Sequence, residues 1–336
     1  MKIYILHRHR YWTEYLDFLL EDSETFSLIS SKFAEEKSYD GKLLPIFNPE
    51  IHKNILTPGI IDDPTDGNTI HFRSMHSPGF YILAHLIAYQ GFIEYHPKSQ
   101  FTMSLLEAHY SALLTREIHH PRIDAIRYNM IQDKRVSTSK VNLNLYQFIQ
   151  NKSLVERKEG TGLICMSWLF MFVEFETIIK ILKMLSKELS LTLVLHPCIS
   201  SKLFIDNILS LEGSLLKKVY INLSREEMIS LYDKNDFIIT DGSGSCYEAM
   251  LRGCKPLAVR GLYRSHQNDM AMQLYYDELE EEYFPFQSYN ELVQYRHFDN
   301  TTFLKKHFPF LYEFSYEKAK EISKLEILNA FNKTET

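Results

Sequence analysis

The sequence predicts an α/β protein, with a first half that mixes strands and helices and a second half built as a doubly wound parallel sheet. Three observations lead there. Between residues 162 and 259 short apolar runs alternate with amphipathic stretches, the mark of βαβ units whose sheet is covered on both faces. The chain opens on a bulky run over residues 2–6, then a polar loop, then an apolar-periodic stretch, which is a β-loop-α start. Its 336 residues include only 12 Gly against 21 Tyr and 22 Phe, so a loop-rich or repeat β architecture is disfavoured and there is apolar material for two cores.

Residues 2–6 read as a buried strand, His7-Arg8-His9-Arg10 as the loop that follows, and 11–20 as the first helical stretch. Residues 21–75 are punctuated by Asp40-Gly41, Pro45, Asn48-Pro49, Pro58-Gly59, Asp63-Pro64 and Asp66-Gly67, which leaves room only for short strands and turns. Residues 80–87, with Pro78 near the first turn, and 100–116 read as helices. Residues 132–160 are polar with few large apolar groups before Leu145, the composition of a surface connection, which sets a domain boundary near 150. Beyond it, strands at 162–170, 191–195, 218–222, 236–240 and 256–259 alternate with helices at 175–189, 203–210, 225–234 and 245–252. Residues 316–331 alternate apolar and charged positions at helical spacing. The expected organisation is an N-terminal α/β domain over 1–150, a C-terminal domain over 151–315 and a closing helix over 316–336.

Charge and cysteines narrow the function classes. Lys plus Arg number 37 and Asp plus Glu 43, a net charge of -6, so no global field draws the chain onto nucleic acid. Cys165, Cys198, Cys246 and Cys254 form no C-x-x-C pair and no zinc-module spacing, which fits a reducing cytoplasm. The N-terminus places its cations after a short apolar run, the reverse of a secretory signal. The longest apolar window is closed by Glu174 after about a dozen residues, short of the ~20 a membrane span needs. The expectation is a cytoplasmic protein without a transmembrane segment, leaving room for peripheral membrane association. A phosphate loop of the GxxxxGKS type, an H-E-x-x-H site and a paired Asp-x-Asp motif are all missing, and Asp62-Asp63 runs into a turn at Pro64. No metal and no cofactor are expected.

The chemistry concentrates in DFIITDGSGSCYEAMLRGCKPLAVRG, residues 236–261. An apolar strand runs into Asp241-Gly242-Ser243-Gly244-Ser245 and straight into a helix, and in an open parallel sheet ligands bind at such strand ends. The glycines let backbone approach a ligand, the serines donate hydroxyls, and the helix N-terminus suits a phosphate. Glu248, one turn on, lies on the face that returns toward the loop and would accept from ribose hydroxyls. The same residues also fit a plain tight turn with Ser245 as N-cap.

The order REEMISLYDKNDFIITDGSGSCYEAMLRGCKPLAV resembles the nucleotide-binding half of glycosyltransferases of the GT-B type, and is similar to arrangements in UDP-GlcNAc 2-epimerases, CDP-glycerol glycerophosphotransferases and capsule polymerases. The resemblance spans roughly residues 160–275. It implies two Rossmann-like domains facing a cleft, with Ser243, Gly244 and Ser245 on the diphosphate of a nucleotide-activated donor, Gly242 in the same turn and Glu248 on the ribose. LTLVLHP, residues 191–197, is a strand ending in His-Pro, and Pro197 biases His196 to an extended conformation. In capsule-type transferases a His-Pro here accompanies the donor phosphate, which makes His196 the first catalytic candidate, stabilising the leaving phosphate; a histidine that merely caps the strand is the other reading. RGLYRSHQNDMAMQ, residues 260–273, resembles a segment of lipid-linked GlcNAc transferases, although Asn268 directly follows Gln267 here. It implies Arg260 or Arg264 beside the diphosphate, or else an ordinary solvated loop.

In the first half, His7 and Arg8, in the basic run 7–10, stand where an anionic acceptor or a donor phosphate would bind, the other reading being that two of the four bases face solvent and two satisfy nearby carboxylates; His76 at a loop-to-helix junction is a candidate base, with Glu94 and His96 as rivals. The aromatic runs, including residues 308–312, read as packing. The resemblance implies a transferase moving a sugar or polyol phosphate from a UDP- or CMP/CDP-linked donor to a hydroxyl of a polysaccharide or lipid-linked acceptor. A nucleotide-sugar epimerase or hydrolase, or a catalytically silent GT-B-like partner subunit, are the alternatives.

Overall fold

A computed structural model describes residues 1–32, 34, 36–57, 70–73, 141–149, 157–166, 170, 173–197, 199, 201–240, 244–258 and 299–332. The chain divides into two compact units, Met1–Gln147 with Phe308–Thr336, and Phe148–His307. The expected helices at 80–87 and 100–116 lie outside the described residues.

In the first unit the described strands form a parallel sheet in the order β2-β1-β5-β6, from β1 (Ile3–His7), β2 (Phe26–Ser30), β5 (Asn54–Thr57) and β6 (Ile70–Arg73). A small antiparallel pair, β3 (Ser38–Tyr39) and β4 (Lys42–Leu43), turns through Asp40 and Gly41 at positive φ. Ile3, Ile5 and Leu6 are buried because β1 is central, so both of its faces are covered. After β1 the chain makes a short helix, α1 (Arg10–Thr13), and continues as a 3-10 segment over Glu14–Glu21. Residues 316–331 were expected to be helical, and α9 spans Tyr316–Asn332; Lys324 on it pairs with Asp22 at 3.0 Å. Phe308 and Phe310 are buried in this unit, and the Tyr146 hydroxyl donates to the carbonyls of Phe310 and Phe314.

The second unit carries a five-stranded parallel sheet in the order β11-β10-β7-β8-β9. Its strands are β7 (Lys158–Cys165), β8 (Ser190–Val194), β9 (Lys218–Tyr220), β10 (Asn235–Thr240) and β11 (Lys255–Ala258). The helices between them are α3 (Phe175–Leu185), α4 (Lys202–Leu209), α5 (Arg225–Lys234) and α6 (Ser245–Arg252); a four-residue α2 (Leu143–Tyr146) precedes the unit, and α7 (Asn300–His307) and α8 (Phe310–Glu313) lead into α9. On α3, Ile178, Ile181, Leu182 and Leu185 are buried at the i, i+3, i+4, i+7 positions of one apolar stripe. On β10 Phe237, Ile238, Ile239 and Thr240 are all buried, as a central strand sandwiched by helices requires. Each such side chain contributes roughly 1.5–3 kcal/mol by leaving water.

Two expectations change. The strand read over 162–170 is β7 at Lys158–Cys165, because pairing rather than hydrophobicity sets its length: Lys158 pairs with Asn235 at one end and Cys165 with Val194 at the other. The surface connection read over 132–160 is interior at residues 141–148, where Val141, Leu143, Leu145 and Phe148 are buried and carry Asn142 and Asn144 in with them.

Below the sheet, away from the strand C-termini, a polar clasp joins the starts of β7, β10 and β11. Arg157 donates to the carbonyls of Tyr232, Asn235 and Arg252. Arg252 donates to both oxygens of Asp233, at 2.8 and 2.6 Å, and to the Phe148 carbonyl. Both side chains of that ion pair are almost wholly buried, so either charge alone would be left uncompensated.

Candidate functional site

The order of the second sheet locates its ligand crevice. The chain lays down β7, adds β8 and β9 on one side, then returns across to add β10 and β11 on the other. In a doubly wound sheet the two oppositely directed crossovers part at such a point, here between β7 and β10, and leave a crevice outside the strand C-termini. Ile239 on β10 lies level with Ile164 on β7, and Cys165 level with Val194 on β8. The end of β10 and the residues after β8 therefore lie at one rim of the sheet.

α6 follows β10 in the chain, beginning at Ser245. Gly244 is the N-cap, with φ -54 and ψ -28 and no side-chain cap, and its carbonyl accepts from Tyr247 and Glu248. Ser245 is the first helical residue and Gly244, not Ser245, is the cap. The positive end of the α6 dipole is presented at the switch point, where an anion is stabilised by about 0.3–1 kcal/mol or more. α6 is terminated by Gly253 at φ 103, with the Cys254 N–H returning to the Ala249 carbonyl, a left-handed ending only glycine adopts without strain. Glu248 is 4% exposed and accepts from the Tyr232 hydroxyl at 3.1 Å, which ties α6 to α5. Gly242, Ser243, Arg260 and Arg264 lie outside the described residues.

His196 is half-buried two residues beyond β8. Leu195 extends the ladder by donating to the Tyr220 carbonyl, and the His196 carbonyl accepts from Ile199, so the chain turns away from the sheet at this residue. This is the rim that also carries Gly244 and Ser245.

In the first unit β1 plays the part of β7, with β2 on one side and β5 on the other, so its C-terminus is again a switch point. His7 is the last residue of β1 and is 1% exposed. Its Nδ1 lies 3.1 Å from the Thr13 hydroxyl, while Nε2 is buried with no hydrogen-bond partner. The ring of Tyr39 meets it edge-on at 5.2 Å, and the Tyr39 hydroxyl is held by both oxygens of Asp17 at 2.6 and 2.8 Å. Burial lowers the His7 pKa to about 4, with Glu36 opposing and His9 and Arg10 reinforcing the shift. Of the other bases in the loop, Arg8 is half-buried, and Arg10 is spent on Asp40 at 2.9 Å and on the Tyr39 ring at 5.2 Å. His76, with its rivals Glu94 and His96, lies outside the described residues. Sequence reasoning missed Thr13, Tyr39 and Asp17; only Thr13, in the helical turn that follows the His7 loop, left a signal in spacing.

Solved structures similar to this chain include an epimerase, a heptosyltransferase and a polymerase. The chain is 15% identical to the UDP-GlcNAc 2-epimerase from Methanocaldococcus jannaschii, over 97% of this chain and 99% of that one, with a TM-score of 0.36. It is 9% identical to the E. coli heptosyltransferase WaaC, over 85% and 100%, with a TM-score of 0.33. It is 11% identical to the wall teichoic acid polymerase TagF, over 100% and 90%, with a TM-score of 0.41. No protein-family model and no curated protein sequence matches the chain. Among the described residues no helix is long and apolar enough to cross a membrane.

Proposed function

We propose that this chain is a GT-B-type transferase that moves a sugar or polyol phosphate from a nucleotide-activated donor to the hydroxyl of a polysaccharide or lipid-linked acceptor. The observation that carries the reading is the Gly244–Ser245 start of α6 at the switch point of the five-stranded sheet. A dipole end and small residues that let backbone N–H groups approach suit a diphosphate better than an uncharged ligand. Gly242, Ser243, Arg260 and Arg264 belong to the same proposed donor site by sequence, and Glu248, tied to Tyr232, would support it from behind.

In the reaction the acceptor oxygen bonds to the transferred carbon or phosphorus, the bond to the nucleotide's leaving phosphate breaks with its electron pair, and the acceptor proton passes to a base. His196, on the rim after β8, would donate to the leaving phosphate, where negative charge grows in the transition state. His7 is assigned to the acceptor hydroxyl: a neutral imidazole with a bare Nε2 takes a hydrogen bond from O–H and does not bind an anion. An anionic ligand at this loop would then be met by Arg8.

The test offers UDP-, CDP- and ADP-linked donors with and without polysaccharide or lipid-linked acceptors and follows nucleotide release. Release that depends on acceptor supports the transferase. Release without acceptor points to a hydrolase, an isomerised nucleotide sugar without net release points to an epimerase, and no turnover or binding of any nucleotide sinks the donor site and leaves a silent partner subunit.

A further inference from the structure

His7 is a buried titratable group whose two ring nitrogens have unequal surroundings, and that asymmetry determines its protonation. The Thr13 hydroxyl has one proton. It stands 3.2 Å from the His9 carbonyl, which can only accept, and 3.1 Å from His7 Nδ1. If Thr13 gives its proton to the carbonyl, its lone pair faces Nδ1 and the imidazole must carry hydrogen there. In the opposite arrangement Thr13 donates to Nδ1, the His9 carbonyl loses this bond, and the hydrogen sits on Nε2, which has no partner among the described residues. A buried N–H without an acceptor is the costlier defect, and two bonds exceed one. The imidazolium fares worse still, since it places a charge and an orphaned N–H in the interior together.

We propose that Thr13 is a positioning residue that fixes His7 as the Nδ1–H tautomer and so leaves at Nε2 a bare, buried lone pair that accepts from a substrate hydroxyl once one enters at the C-terminal end of β1. The ring has little freedom to evade this, because Tyr39 packs against it edge-on and is itself anchored through its hydroxyl to Asp17. The arrangement differs from an imidazole backed by a carboxylate. A threonine oxygen orients the ring without stabilising its charged form, so the site is built to hold and align a hydroxyl and to take its proton only as the bond to the transferred group forms. The low pKa of His7 agrees with this, as does the proximity of Arg10 and His9. That the lone pair meets an acceptor hydroxyl rests on the transferase reading above; the tautomer does not.

The experiment is nitrogen-detected histidine NMR on the full chain labelled at histidine, with the His7 signals assigned by their loss in His7→Asn. The expected spectrum shows a protonated-type Nδ1 and a bare-type Nε2 at neutral pH. Thr13→Val, which keeps the shape and removes the oxygen, should abolish that bias, and Thr13→Ser should restore it. A protonated Nε2 in the unmodified protein overturns the assignment whether or not any variant folds, and so does a spectrum that Thr13→Val leaves unchanged. With an active donor and acceptor pair, Thr13→Val should lower kcat by roughly 10- to 100-fold with KM for the donor unchanged, as expected for losing the orientation of a proton acceptor, and Thr13→Ser should recover it. An intact Nδ1–H signature with no transfer by any donor defeats the transferase reading and leaves the Thr13 assignment standing.

Discussion

Acid should weaken this protein through His7 in a pH window opposite to that of an ordinary paired histidine. Its pKa in the fold is about 4, against 6.5 for a free imidazole, chiefly because burial penalises the charged ring. Between those values the unfolded chain binds a proton that the folded chain refuses, so stability rises with pH across the window and falls as pH drops from about 6.5 to about 4. Below the folded value both states are protonated and the loss is complete. A shift of this size is worth at most about 3.4 kcal/mol. The control is His7→Asn, whose amide can still donate to Thr13 but does not titrate; the void it leaves adds an offset that does not vary with pH. The assay is urea unfolding of both proteins at half-unit pH intervals, taking their difference, which also cancels His52, whose pKa is likewise lowered by burial. The difference should be flat above pH 6.5, decline by roughly 1–3 kcal/mol and level off near pH 4. A flat difference throughout would refute the burial of a neutral ring, and a difference that grows on acidification would mean that His7 is charged and paired.

Arg252→Met should cost about 3–5 kcal/mol, because the buried Asp233 carboxylate would lose both hydrogen bonds from the guanidinium, and thermal unfolding of the second unit reports it; a loss under about 1 kcal/mol would show the clasp to be dispensable. Gly162→Ala should cost roughly 1–3 kcal/mol, since its Cβ would come within 2.9 Å of Ile239 Cδ1 and 3.1 Å of Leu189 and Leu191 methyls; an unchanged melting temperature would mean that those three side chains yield freely. Ser245→Ala should weaken nucleotide binding by ~1–3 kcal/mol without altering the fold, as for a lost hydrogen bond to a charged group, and equal affinities by calorimetry would remove Ser245 from the donor site. His196→Ala should lower turnover by ~10² or more with a much smaller change in nucleotide affinity; normal turnover would return His196 to a structural role.

Local pattern and tertiary contact divided the information unevenly. α5 and α6 lie where the sequence puts them, Arg225–Lys234 and Ser245–Arg252, because their limits are written in adjacent residues: Ser224 and Glu227 form a capping box that starts α5, and Gly253 stops α6. The parallel sheet was legible for a similar reason, since a strand that reads apolar at every position has no face to give to water. The placement of the small-residue loop at a strand end followed from order along the chain alone. Strand order did not, and with it the identity of the strand end that is the switch point. Which neighbours β7 takes depends on crossovers spanning tens of residues, whose cost is chain closure and whose reward is packing, and neither leaves a periodic trace. The same holds for the pairs that give polar side chains their chemistry. Arg252 with Asp233, Glu248 with Tyr232 and Tyr39 with Asp17 join elements 16 to 22 residues apart. A sequence shows that such residues are polar and can show that their element is buried; only the fold decides which polar group meets which. His7 is the sharpest instance. The sequence marked it as one base in a run of four, whereas the hydroxyl proton of Thr13 and the burial of one ring nitrogen make it the neutral one.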